Sequence, residues 1–161
     1  MIQATRPTDI LLLRHAEEPA DESDPDLNDA GQLRAERLAA FIPAMLGKPD
    51  LIIAAAANRR SVRAFLTVRP LSRASGVRIC SRFRANQSEA LAAMLITDDA
   101  FAQKTIVICW THKELPQLAK MLKARRQDYP DPWDESVFDV ILHLRYRGRA
   151  KPVVKKVVQP F

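Results

Sequence analysis

The sequence is poor in several residue types whose abundance marks whole classes of protein. It has only two cysteines in 161 residues, Cys80 and Cys109. Both sit in apolar, strand-like segments, which excludes a disulfide framework and reads as reduced core thiols. No Cys/His spacing fits a zinc site. Glycines number four, and there are no internal repeats or low-complexity tracts, so collagen-like and solenoid organisations are excluded. No apolar run is long enough to span a membrane. The opening Met1-Ile-Gln-Ala-Thr-Arg-Pro7 has no apolar region behind a basic start, so a cytoplasmic location is expected.

Acidic residues are the scarcer charge, 19 against 25 lysines and arginines, which leaves a net charge of +6. A basic balance suits anionic ligands, from phosphorylated metabolites to nucleic acid. The basic residues are spread along the chain, and the one dense patch, at the C-terminus, lacks interleaved stacking aromatics. That argues against a nucleic-acid partner. The hydrophobic share of 47% can supply a proper core, and the length fits one domain over 1–161.

One stretch organises the rest: Asp9-Ile-Leu-Leu-Leu-Arg14-His15-Ala16-Glu17-Glu18-Pro19. Its continuous apolar run reads as a strand buried on both faces, with the Arg-His pair emerging at its C-terminal end. In an open α/β sheet that edge binds ligands. An imidazole there can serve as nucleophile or base, and a guanidinium can hold an anion by paired hydrogen bonds.

An acidic loop follows, Pro19 to Asp26, and then an amphipathic helix with Ala35, Leu38, Ala39, Ile42, Met45 and Leu46 on one face. Asn28 or Asp29 is its N-cap, and Gly47-Lys48-Pro49 ends it. Asp50–Ala55 is a second buried strand, so the first three elements form a right-handed βαβ unit. A helix begins near Asn58 with Val62, Phe65 and Leu66 on one face, and Pro70 is expected to end or kink it. Arg59, Arg60 and Arg63 crowd its start, where the helix dipole favours acids and a bound anion would remove the conflict. Val77–Phe83 reads as a third strand and Gln87–Ile96 as a helix. Thr105–Trp110 is the clearest buried strand, and it runs into Thr111-His112 and another helix, whose N–H groups would face the same edge. If this strand is parallel to the first, His15 and His112 share one sheet edge, and Arg63 follows a third such strand. Phe138–Tyr146 and Pro152–Val158 read as an antiparallel hairpin at the sheet's edge, with His143 outside the site.

Leu13-Arg14-His15-Ala16-Glu17 resembles the opening signature of the histidine phosphatase superfamily, the phosphoglycerate-mutase-like proteins. Three further segments resemble later landmarks of that family: Leu27–Ala35 with Gly31; Arg63-Ala64-x-x-Thr67-x-x-Pro70-Leu71; and Trp110-Thr111-His112 with the downstream Trp133 to Asp139. The likeness runs from Asp9 to about Leu144. It implies a three-layer α/β sandwich, with a mostly parallel central sheet, helices on both faces and a C-terminal antiparallel edge hairpin. It further implies a phosphatase in which His15 attacks phosphorus, and Arg14, Arg63 and His112 bind the phosphoryl oxygens. Arg59 is the alternative second arginine, because its distance from Asp50 also fits. The carboxylic acid that protonates the leaving group is Glu89, Glu17 or Glu114, in that order. No cofactor is implied, and no metal, because the cationic cluster itself neutralises the phosphate. The implied partner is a phosphorylated small molecule or a phosphoprotein. A catalytically silent phosphate binder on the same fold is the alternative. Ala16 stands where the family more often has Gly, and Lys113-Glu114 stands where small residues are common after the second histidine.

Overall fold

The computed structural model describes residues 6–161. Six strands form one sheet in the order β3-β2-β4-β1-β5-β6. The strands are β1 (Asp9–Arg14), β2 (Leu51–Ala54), β3 (Ile79–Cys80), β4 (Thr105–Trp110), β5 (Val140–Arg145) and β6 (Val153–Val158). The first four are mutually parallel, and β5 and β6 run antiparallel as the edge hairpin. Ile10 to Leu13 and Ile106 to Trp110 are fully buried. Both strands are therefore covered on both faces, which is what their uninterrupted apolar runs required.

Four helices cover the sheet: α1 (Asp29–Leu46), α2 (Arg63–Ser75), α3 (Ser88–Thr97) and α4 (Leu115–Met121). α1 packs on α2, and α3 packs on α4. Right-handed crossovers place the two pairs on opposite faces, giving the three-layer α/β sandwich expected from the sequence. Asn28 caps α1 by accepting from the Gly31 N–H at 2.8 Å. Gly31 is needed for a second reason: a Cβ there would collide with the Glu17 carbonyl. The first turn of α1 thus lies directly against the segment that follows β1.

The structure corrects three local expectations. Pro70 does not end α2, which runs on to Ser75 and stops at Gly76 in the left-handed conformation. Thr67, Val68 and Leu71 are buried around the proline, so packing outweighs the amide hydrogen bond it removes. The buried face of α2 is Ala64, Thr67, Val68 and Leu71 and not Val62, Phe65 and Leu66, which are half-buried. The third strand shrinks to Ile79–Cys80 at the sheet's edge, where only one neighbour can pair with it. Cys80 and Cys109 are both free thiols. No helix of the described residues is long and apolar enough to cross a membrane.

Candidate active site

Arg14 ends β1 and Trp110 ends β4 in direct register, so the chain after each emerges at the same edge. The His15 N–H donates to the Trp110 carbonyl at 3.1 Å, which ties the two strand ends together. β2 ends beside them, and its following turn leads into α2. A cleft of about 540 Å³ opens at this edge, lined among others by His15, Glu18, Arg63, His112, Arg60 and Arg84.

His15 is buried, and its Nδ1 lies 2.8 Å from the Ala16 carbonyl. A carbonyl only accepts, so Nδ1 carries the proton and Nε2 holds the free lone pair. Burial, reinforced by the neighbouring charge of Arg14, pushes the imidazole pKa down to about 4. His15 is therefore a neutral ring at pH 7, with an available nitrogen. His112 is half-buried, and its pKa is also lowered, first by burial and then by Arg14.

Arg14 is 1% exposed. Its Nη1 donates to the carbonyls of Glu135 and Val137, and its guanidinium lies 3.8 Å over the Phe138 ring. Nε and Nη2 are buried and have no hydrogen-bond partner among the described residues. Leaving donors of a cation unmet by the protein is costly, and such groups are met by ordered water, an ion or a ligand. Arg63, the first residue of α2, is held by the acidic loop. Its Nε donates to the Asp26 carbonyl at 3.0 Å and its Nη2 to that of Asp24. Thr67 joins the two segments: its hydroxyl donates to the Arg63 carbonyl at 2.7 Å and accepts from the Ala16 N–H at 2.8 Å. The order Arg63-x-x-x-Thr67 is one helical turn, which is what that bridge requires.

The Glu18 carboxylate sits among these groups. It is 3.9 Å from Arg14 Nη2, 3.9 Å from His15 Nε2 and 3.4 Å from Arg63 Nη1. None of the three contacts is a hydrogen bond by distance and alignment. Among the described residues, no group of three His, Cys, Asp or Glu is placed to hold a metal ion.

Solved structures share this arrangement of strands and helices. A provisionally assigned phosphohistidine phosphatase SixA from Agrobacterium tumefaciens superposes with a TM-score of 0.63 at 22% identity, over 94% of this chain and 98% of that one. The protein histidine phosphatase SixA complexed with tungstate gives 0.66 at 10%, over 93% and 96%. The mycobacterial glucosyl-3-phosphoglycerate phosphatase in complex with VO3 gives 0.62 at 16%, over 94% and 98%. The chain has the histidine phosphatase fold. No family model matches it, and no curated protein does. At these identities the likeness establishes the fold alone.

On this histidine phosphatase fold, the residues singled out from the sequence divide. Arg14, His15, Arg63 and His112 meet at one edge. Arg59 is exposed in the turn before α2 and does not line the cleft, whereas Arg60 does. Glu89 is exposed in the first turn of α3 and also lies outside the lining. Glu17 points away: burial alone would raise its pKa, but bonds from Arg34 Nε and Nη2 at 2.7 to 3.0 Å outweigh this and hold it low. Glu114 does line the cleft. The amides expected to face an anion after His112 are already used, since those of Glu114 and Leu115 donate to the Thr111 carbonyl at 3.1 and 2.9 Å. Sequence reasoning missed Glu18. Neighbouring residues of an extended segment face opposite ways, so one of Glu17 and Glu18 had to turn toward the cleft. Arg34, far along the next helix, decides which.

Proposed function

We propose that this protein is a phosphatase acting through a phosphohistidine intermediate at His15, on a small phosphoester or a phosphohistidine protein. The observation that carries this reading is a neutral imidazole lining one cleft, its Nε2 free, next in sequence to a buried Arg14 whose Nε and Nη2 have no partner among the described residues. A nucleophile and a preset cationic donor are the two parts phosphoryl transfer needs. In this mechanism Nε2 attacks phosphorus in line with the leaving oxygen. Arg14, Arg63 and His112 hold the equatorial oxygens and stabilise their charge in the transition state. Water then attacks the phosphohistidine from the open cleft, releasing phosphate and restoring the imidazole. The cations neutralise the phosphoryl group without a metal. Two fold neighbours are complexed with oxyanions, tungstate and VO3, which is in keeping with an oxyanion ligand for this fold.

Of the three leaving-group acids considered, only Glu114 lines the cleft. That favours substrates whose leaving group needs little protonation, such as phosphohistidine. It also gives weight to a second reading, phosphate binding without turnover. Hydrolysis of p-nitrophenyl phosphate and of a phosphohistidine peptide, by wild type and His15→Ala, separates the two. Turnover with an acid-labile phosphoenzyme, both lost in the variant, is the expected result. Equal turnover by His15→Ala would sink the mechanism. Phosphate binding with no turnover would establish the silent binder.

A further inference from the structure

The chemistry above gives Glu18 no task, yet its carboxylate stands closest to the cations that would receive a phosphoryl group. We propose that Glu18 is a built-in counter-anion: it occupies the phosphoryl position in the free protein, is displaced by substrate, and returns to expel product phosphate. The inference rests on reading this cleft as a phosphoryl site.

The geometry shows an occupant that fits poorly. Glu18 lies 3.4 Å from Arg63 and 3.9 Å from both Arg14 and the neutral ring of His15, near enough to lower the repulsion between the two guanidinium groups and too far for hydrogen bonds. Arg14 Nε and Nη2 remain unmet although Glu18 is beside them. A tetrahedral oxyanion presents acceptors in more directions and can meet both Arg14 and Arg63, so it displaces the carboxylate on geometry as well as on charge.

Glu18 is also built to leave. Its backbone is fixed, because its carbonyl accepts from Asn28 Nδ2 at 3.1 Å. Its side chain is 41% exposed and accepts no hydrogen bond from the described residues. Adjacent Glu17 differs in both respects, being bound by Arg34 and 21% exposed. A displaced Glu18 carboxylate has somewhere to go. Arg60, Arg84 and Lys113 line the same cleft, and among the described residues none of them is within 4 Å of a carboxylate.

A competitor inside the protein has a particular signature. It weakens every anion that uses the site by the same factor, set only by how firmly the competitor itself is held. A residue that touches the ligand instead changes each ligand differently. The test is therefore calorimetric titration of wild type, Glu18→Gln and Glu18→Ala with inorganic phosphate and with tungstate. We expect both variants to bind both anions about tenfold more tightly or better, by one common factor, with product inhibition by phosphate strengthened to match. Unchanged or weaker binding in the variants, with wild type binding normally, would overturn the inference and leave the phosphoryl site standing. Factors that differ between phosphate and tungstate would make Glu18 a ligand contact and also overturn it. Failure of all three proteins to bind either anion would refute the phosphoryl site itself, and this inference with it.

Discussion

Strand β1 carries a buried charge at each end, and the two ends are solved in opposite ways. At its start, Asp9 is 5% exposed, and one carboxylate oxygen meets His143 Nε2 at 2.7 Å and Arg145 Nε at 3.0 Å. Both partners come from β5, whose register sets Arg145 opposite Asp9 and His143 opposite Leu11. At its other end, Arg14 is more deeply buried and has two nitrogens with no hydrogen-bond partner among the described residues. A buried charge matched by oppositely charged partners is part of the structure; one whose donors the protein leaves unmet has capacity for a partner from outside the chain.

The sharpest way to break this comparison is to remove each charge. Arg14→Met keeps the buried volume and deletes an under-bonded cation. Phosphate affinity should fall at least about a hundredfold, roughly 3 kcal/mol. Stability to denaturant should stay within about 1 kcal/mol of wild type, since losing an unmet charge offsets the bonds lost to Glu135 and Val137. If Arg14→Met simply unfolds the protein, the two ends of the strand are alike and the argument fails.

Acid provides the next test, of similar size. His15 is buried as a neutral ring with its pKa held down to about 4, against about 6.5 when unfolded. Between these values the unfolded chain binds a proton that the folded chain does not. The contribution is therefore complete above pH 6.5 and is lost as pH falls toward 4, amounting to about 3 kcal/mol. Urea titrations at pH 7, 5.5 and 4 should show this decline in wild type. In His15→Asn it should be reduced by that amount. An equal decline in both would show that His15 is not held neutral by burial.

At the structural end, Asp9→Asn should cost about 1–2 kcal/mol, because the amide can keep only part of the hydrogen bonding to His143 and Arg145. Phosphate affinity should stay within about twofold. Gly31→Ala is of comparable size but couples the ends of the argument. Its methyl must move the Glu17 backbone, and with it the segment carrying His15 and Glu18, so stability and phosphate binding should both drop.

The same contrast marks what could be read from the sequence. The continuous apolar runs of β1 and β4 located two buried parallel strands, and the residues directly after them located His15 and His112. Arg63 came from the resemblance of Arg63-Ala64-x-x-Thr67-x-x-Pro70-Leu71 to a family landmark. What escaped depended on contacts across the sheet. Nothing near Pro70 shows that burial of Val68 and Leu71 will carry a helix past it. Nothing near Glu17 shows that Arg34 will hold it away from the cleft and leave Glu18 in the position of interest. No local pattern around Glu89 shows that a residue in the first turn of α3 will lie outside the cleft.

The finest distinction lies between Arg63, which the motif through Thr67 and Pro70 favours, and Arg59, four residues earlier, which the spacing from Asp50 also allows. In the folded chain Arg63 is buried at the start of α2 and anchored by the carbonyls of Asp24 and Asp26. Arg59 is exposed in the preceding turn. A fixed, partly desolvated cation acts at full strength on a bound anion, whereas an exposed one acts through screened solvent. Arg63→Gln should weaken phosphate binding about tenfold or more, with little dependence on salt. Arg59→Gln should weaken it less than about twofold, and even that should vanish as ionic strength rises from 0.01 to about 0.5 M, where the screening length falls below the distance involved. Titration of both variants at the two salt concentrations distinguishes them. A large, salt-resistant loss in Arg59→Gln would mean that the turn before α2 folds inward around the anion and supplies the clamp itself.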